Sequence, residues 1–229
     1  MSNIYAPIKN IEEWRTLLSD PENQWKMGYS AQTLAYCWGA TPNDFPKCVK
    51  NVFNKSSDPI FQNIQLLFGF PEYKVHLPGG NRPSQNDIFV IGRGGGELIS
   101  IMVEGKVSES FDKTVEKWLG NEPSNGKRER LAFLTNELQL NENEVLDIRY
   151  QLLHRTVSAI LEAKKINASN ALMLVHSFSE SYVGFEDYLA FVRLLGIHAE
   201  KEEIIGPVFL NEINVYFGWV TGDLKFLKK

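Results

Sequence analysis

Helical spacing of apolar residues fills the first third of the chain. Ile11, Trp14, Leu17 and Leu18 recur at three- and four-residue intervals behind Asn10, a residue type that caps helices. Leu34, Ala35 and Trp38 repeat the pattern behind Ser30. Phe45, Val49 and Phe53 repeat it behind Asn43, ending near Lys55-Ser56-Ser57. A fourth helix is predicted from Pro59 to Phe68. The period then changes. Tyr73 to Leu77 reads as a strand, bounded by Pro71 and by Pro78-Gly79-Gly80, and further strands are predicted from Gln85 to Ile91 and from Glu97 to Lys106. The last two are apolar at even and odd positions alike, the pattern of strands covered on both faces. Gly92-Arg93-Gly94-Gly95-Gly96 between them reads as a hairpin turn.

Beyond the third strand the helical period returns. It predicts helices over Lys113 to Leu119, Gly126 to Leu138 and Glu142 to Ile166. In the longest, Gln151, His154, Arg155 and Ser158 fall at i, i+3, i+4 and i+7 and so share a face. Ala171 to Phe178 is an apolar strand, Phe185 to Leu195 a helix and Ile213 to Val220 an alternating last strand. This order predicts an α/β fold with a mixed sheet flanked by helices. Residues 1–57 form a helical N-terminal block packed on a core of residues 58–229.

The 229 residues, 43% of them hydrophobic, suffice for one substantial core with an appended block. No run approaches the ~18 apolar residues of a membrane span. The N-terminus lacks the basic and apolar segments of a signal peptide. Cys37 and Cys48, the only cysteines, suggest a reducing, cytoplasmic setting and read as small apolar fillers without ligand partners nearby. The formal net charge of -4 argues against a general nucleic-acid coat protein. A local basic rim can still come from Lys127-Arg128-Glu129-Arg130, Arg149 and Arg155, whose plainer reading is a solvated helix face.

The chemistry concentrates at Asp87, which opens one buried strand, and at Glu104-Gly105-Lys106, which closes the next. Glu104 and Lys106 point to one side of their strand, and Asp87 can lie level with Glu104 on the neighbouring one. Two carboxylates, with the Gly105 carbonyl and phosphate oxygens, suit Mg²⁺ or Mn²⁺. Such an ion acidifies a bound water and stabilises charge on a phosphate, and Lys106 can orient the attacking water. Acid-x-lysine spacing is common by itself, and a surface ion pair is its plain reading. Charges closing a strand buried on both faces carry more weight.

Asn86-Asp87, a hairpin and Glu104-Gly105-Lys106 together resemble the PD-(D/E)xK motif of the restriction-endonuclease-like nucleases. The superfamily core runs helix, three strands, helix, strand, and the stretch from Pro59 to Phe178 is predicted in that order. The resemblance implies that Asp87 and Glu104 ligate the metal, that Lys106 assists the attacking water, and that DNA is cleaved. Asn86 stands where the motif has proline. Tyr150-Gln151-Leu152-Leu153-His154-Arg155 resembles the glutamine-bearing helix of the exonuclease branch, which makes Gln151 a further candidate. These segments also resemble a group of uncharacterised bacterial proteins assigned to the superfamily by pattern. The additional acid many members place on the helix before the first strand is missing from Pro59 to Phe68. Glu72 is the nearest alternative, and Glu109 another, with a solvated loop role as its plainer reading.

Arg149, His154, Arg155, His176 and Ser177 complete the candidate substrate-binding set. His176 and Ser177 belong to it if their strand neighbours that of Glu104, and a satisfied core histidine is the alternative for His176. Trp14, Trp25 and Trp38 can stack bases but fit helix packing better. A binding module that has lost the chemistry and a small-molecule phosphodiesterase remain rival functions. The oligomeric state stays open, a homodimer included.

Overall fold

The computed structural model describes residues 2–229. Seven helices, α1 (Pro21–Gln24), α2 (Ser30–Gly39), α3 (Lys47–Lys55), α4 (Val115–Leu119), α5 (Asn125–Leu138), α6 (Tyr150–Lys165) and α7 (Phe185–Leu194), flank one open mixed sheet. Its strands are β1 (Gln65–Val75), β2 (Ser84–Gly94), β3 (Glu97–Lys106), β4 (Asn170–Ser177), β5 (Glu203–Leu210) and β6 (Ile213–Thr221). They lie in the order β1-β2-β3-β4-β6-β5. The β1–β2 and β2–β3 pairs are antiparallel, β3–β4 and β4–β6 parallel, and β5–β6 antiparallel.

Alternation along the strands divides the core in two. Phe89, Met102, Met173, Val175 and Phe217 face α5, α6 and α7 on one side. Ile88, Val90, Ile101, Val103, Leu172 and Leu174 face the N-terminal block on the other, against Trp14, Leu34, Trp38 and Phe53. β4 is buried along its whole length, as the apolar run Ala171 to Val175 at its centre requires.

Four elements depart from the sequence expectation. Pro59 starts a 3₁₀ turn of three residues, not a helix reaching Phe68, and β1 begins at Gln65. The predicted helix from Glu142 breaks into a 3₁₀ turn (Glu142–Val145) and α6, which starts at Tyr150. β5 was not expected, because Gly206-Pro207 interrupts its pattern. It is an edge strand whose register shifts between Ile205 and Val208, the place where proline is tolerated. The first predicted helix is a 3₁₀ segment (Ile11–Leu17), with Asn10 capping it through the Glu13 N–H. No helix among the described residues is long and apolar enough to cross a membrane.

Candidate active site

The β2–β3 ladder runs as far as Ile88–Val103, and Asp87 and Glu104 follow immediately. There Asp87 accepts the Gly105 N–H on Oδ2 at 2.7 Å. A Cβ on residue 105 would lie 3.1 Å from Leu34 Cδ2 and 3.2 Å from Asp87 Oδ2, so glycine lets the carboxylate approach the backbone.

Glu104 and Lys106 are buried on the α6 face of β3, where charge needs partners. Lys106 Nζ donates to Glu104 Oε1 at 2.7 Å and to Gln151 Oε1 at 3.0 Å. Gln151 Nε2 donates to Glu104 Oε1 at 2.6 Å, closing a three-membered ring of hydrogen bonds. Arg155, one turn on, donates through Nε to Glu104 Oε2. The α6 face read from the sequence converges further on Ser84, at the start of β2. Arg155 Nη1 lies 3.2 Å, His154 Nδ1 2.8 Å and Ser158 Oγ 2.9 Å from Ser84 Oγ.

A third carboxylate comes from β1. Glu72 lies across from Asp87, between the pairs Pro71–Ile88 and Tyr73–Asn86. Its φ of 50° is left-handed, a conformation non-glycine residues adopt at a cost of about 1–3 kcal/mol and which clusters at functional sites. Gln85 Nε2 and Trp14 Nε1 donate to its two oxygens at 2.8 and 3.4 Å.

These groups line one cavity of about 410 Å³. Glu72, Gln85, Asp87, Glu104, Lys106, Gln151 and Arg155 form its floor, and Leu18, Asn23, Gln24, Tyr29 and Ser30 of the N-terminal block its far wall. Glu109 lines it too, but its oxygens accept the N–H groups of Ser30 and Val107, both at 2.8 Å, so it fastens α2 to the end of β3.

The electrostatics follow from three acids facing two cations. Burial, then Glu104 and Glu72, push Asp87 well above the usual carboxylate range. Burial pushes Glu72 up to about 7, against the donors Gln85 and Trp14. Burial also opposes the charge on Glu104, but Arg155 and Lys106 outweigh it and hold that carboxyl below its ordinary value. Burial opposes the charge on Glu109 as well, and the backbone donors win there. His154 is driven well below its ordinary value by burial and by Arg155, Arg130 and Lys106.

Of the residues singled out in the sequence, Asp87, Glu104, Lys106, Gln151 and Arg155 meet in the cavity. Glu72 and Glu109, the alternatives for the missing helix acid, line it too, and the others do not. Gly105 turns its N–H to Asp87. Arg149 pairs with Asp187 Oδ1 at 2.9 Å and with the Asp112 carbonyl at 2.8 Å. His154 packs on Tyr150 behind the Ser84 cluster. His176 points to the N-terminal block, where it accepts from Trp38 Nε1 at 3.1 Å. Ser177 is buried and takes the Ser179 N–H. The expected basic rim is absent at Arg130, which donates to the carbonyls of Leu77, Pro78, Gly80 and Arg82. Trp14 and Trp38 are core residues, as helix packing predicts. Glu72 and Gln85 enter the site through cross-strand register, which residue spacing does not display.

Among the described residues, one group of three or more His, Cys, Asp or Glu has its ligand atoms mutually within 4.8 Å, and it is Cys37, Cys48 and His176. The cavity acids are spread wider. Their oxygen-only donor set, with two carboxyls raised first by burial and then by the neighbouring acids, nonetheless suits a hard divalent cation. Among the described residues nothing donates to Asp87 Oδ1, which leaves that oxygen for such an ion.

No curated protein and no solved structure matches the chain. A family model described as a domain of unknown function (DUF6946) matches residues 7–224, and the chain belongs to that family.

Proposed function

We propose that the protein is a divalent-cation-dependent phosphodiesterase of restriction-endonuclease-like descent, acting as a nuclease on DNA. The observation that carries this reading is the meeting of Asp87, Glu104 and Lys106, from adjacent strands, with Gln151 and Arg155 of the following long helix in one cavity. An antiparallel β1–β2–β3 meander followed by helices and a parallel β4 supports the same reading.

Asp87 and Glu104 would hold Mg²⁺ or Mn²⁺. When bound, the ion supplies an acidified water and charge stabilisation at the phosphate. Lys106, positioned by Glu104 and Gln151, orients the attacking water and offsets charge on the scissile phosphate. Arg155 neutralises Glu104 from the far side and holds its carboxylate in place. Gln151 bridges Lys106 and Glu104, so it fixes the Lys106 ammonium and the Glu104 carboxylate relative to each other.

The size of the cavity favours a second reading. A space of about 410 Å³, walled by the N-terminal block and lined by Lys106 and Arg155 as its basic groups, fits a small phosphodiester better than a duplex. One assay separates the two. Labelled single-stranded DNA, duplex DNA, RNA and bis(p-nitrophenyl) phosphate are incubated with Mg²⁺ or Mn²⁺ and wild type, Lys106→Ala or Glu104→Gln. DNA cleavage by wild type alone, abolished by a chelator, is the expected result. Turnover of the small ester without polymer cleavage selects the second reading. Equal cleavage by all three proteins contradicts both, and no cleavage by a folded protein points to a binding module.

A further inference from the structure

A second cluster lies on the opposite face of the sheet, between α2, α3 and β4. Cys37 of α2, Cys48 of α3 and His176 of β4 place one ligand atom each within 4.8 Å of the others. Cys48 Sγ is 3.4 Å from His176 Nε2. A cleft of about 320 Å³ opens onto both cysteines and is lined also by Lys47, Asp223 and Lys225. The pair can therefore meet small solutes.

The direction of one hydrogen bond decides what the cluster can do. Trp38 Nε1 lies 3.1 Å from His176 Nδ1, and an indole nitrogen only donates. Nδ1 therefore offers its lone pair, and the neutral ring carries its proton on Nε2, aimed at Cys48 Sγ. A metal-binding histidine is arranged the other way, with a lone pair toward the ion and its remote N–H given to an acceptor. Here the N–H meets the sulfur, which stabilises a thiolate.

We propose that Cys48 and Cys37 are a redox-active dithiol, with Cys48 the nucleophile and Cys37 the resolving thiol, oxidised to a disulfide by a hydroperoxide. The Cys48 thiolate takes the distal peroxide oxygen, the O–O bond breaks, and the leaving alkoxide or hydroxide takes a proton from water. The sulfur is then a sulfenic acid. Cys37 sulfur attacks it, the S–S bond forms, and hydroxide leaves with the Cys37 proton as water. The two electrons of the dithiol reduce the peroxide. The Cys37 thiol, within 4.8 Å of the Cys48 sulfur, and the His176 N–H hold Cys48 down at about 4 against burial. The same contact, with burial, pushes Cys37 up, so the two thiols are assigned different roles. The groups facing Cys48 are Cys37 from α2, His176 from β4, and Asp223 and Lys225 from the C-terminal segment.

The test uses the full chain and near-stoichiometric hydrogen peroxide, read by intact mass and peptide mapping. Wild type is expected to lose two hydrogens as a Cys37–Cys48 disulfide. Cys37→Ser should stop at a Cys48 sulfenic acid captured by dimedone, and Cys48→Ser should leave Cys37 reduced. On unmutated protein, iodoacetamide labelling of Cys48 should change less than about threefold between pH 6 and pH 8, where a free thiol gains about 80-fold. Wild type left reduced, or labelling that follows the free thiol, overturns the proposal. Zinc retained stoichiometrically through a chelator and lost in Cys48→Ser also overturns it, in favour of a metal site.

Discussion

Asp87 holds the Gly105 N–H with one oxygen and keeps the other for the cavity, so its position depends on the bare backbone of residue 105. Gly105→Ala is expected to displace Asp87 and Leu34, costing about 1–3 kcal/mol of stability and at least tenfold in turnover. Urea unfolding and the cleavage assay measure the two effects separately. Glu72 gives a pH signature. Its carboxyl rises from 4.5 to about 7 on folding, so the folded state holds a proton that the unfolded chain releases. The associated stability is full below about 4.5 and is lost as pH rises through about 7. Asp87 acts in the same direction. The melting temperature of wild type should therefore fall from pH 5 to pH 8 by on the order of 5 °C more than that of Glu72→Gln. Added Mg²⁺ should restore wild type at pH 8 and do little at pH 5. Equal pH slopes in the two proteins would contradict this electrostatic picture.

At the scale of elements, α6 and the end of β3 carry Glu104, Lys106, Gln151 and Arg155, and Glu109 joins the N-terminal block to the end of β3. Glu109→Ala leaves two backbone N–H groups without their carboxylate, and a loss of about 1–3 kcal/mol in urea unfolding is expected. The sequence displays β2, β3 and the α6 face well, because buried strands are apolar throughout and Gln151, Arg155 and Ser158 recur at helical spacing. It shows only the end of β1, from Tyr73, and hides the rest, because Asp58-Pro59 is a helix-start signal that here opens only a 3₁₀ turn. Gln85 stayed unread, and Glu72 was legible only as a stand-in for the missing helix acid, because the place of both follows from strand register. The Cys48–His176 contact joins residues 128 apart, beyond any local motif.

For the whole molecule, the N-terminal block is structural as well as a wall of the cavity. It covers Ile88, Ile101, Val103, Leu172 and Leu174 on one face of the sheet. A chain lacking residues 1–57 would expose that face, and it is expected to be insoluble or to lose cooperative thermal unfolding. A soluble fragment that melts cooperatively would show that the two parts are independent. The two faces thus carry separate chemistries, oxygen donors on the α6 side and thiols on the other. The proposed chemistry requires Asp87 and Glu104 to share a divalent cation, and calorimetric titration of Mn²⁺ into wild type and Asp87→Asn is the most direct measurement of that. One equivalent bound by wild type, with loss of at least tenfold in affinity in a folded Asp87→Asn protein, is expected. Equal binding by both, or none by either, would contradict it.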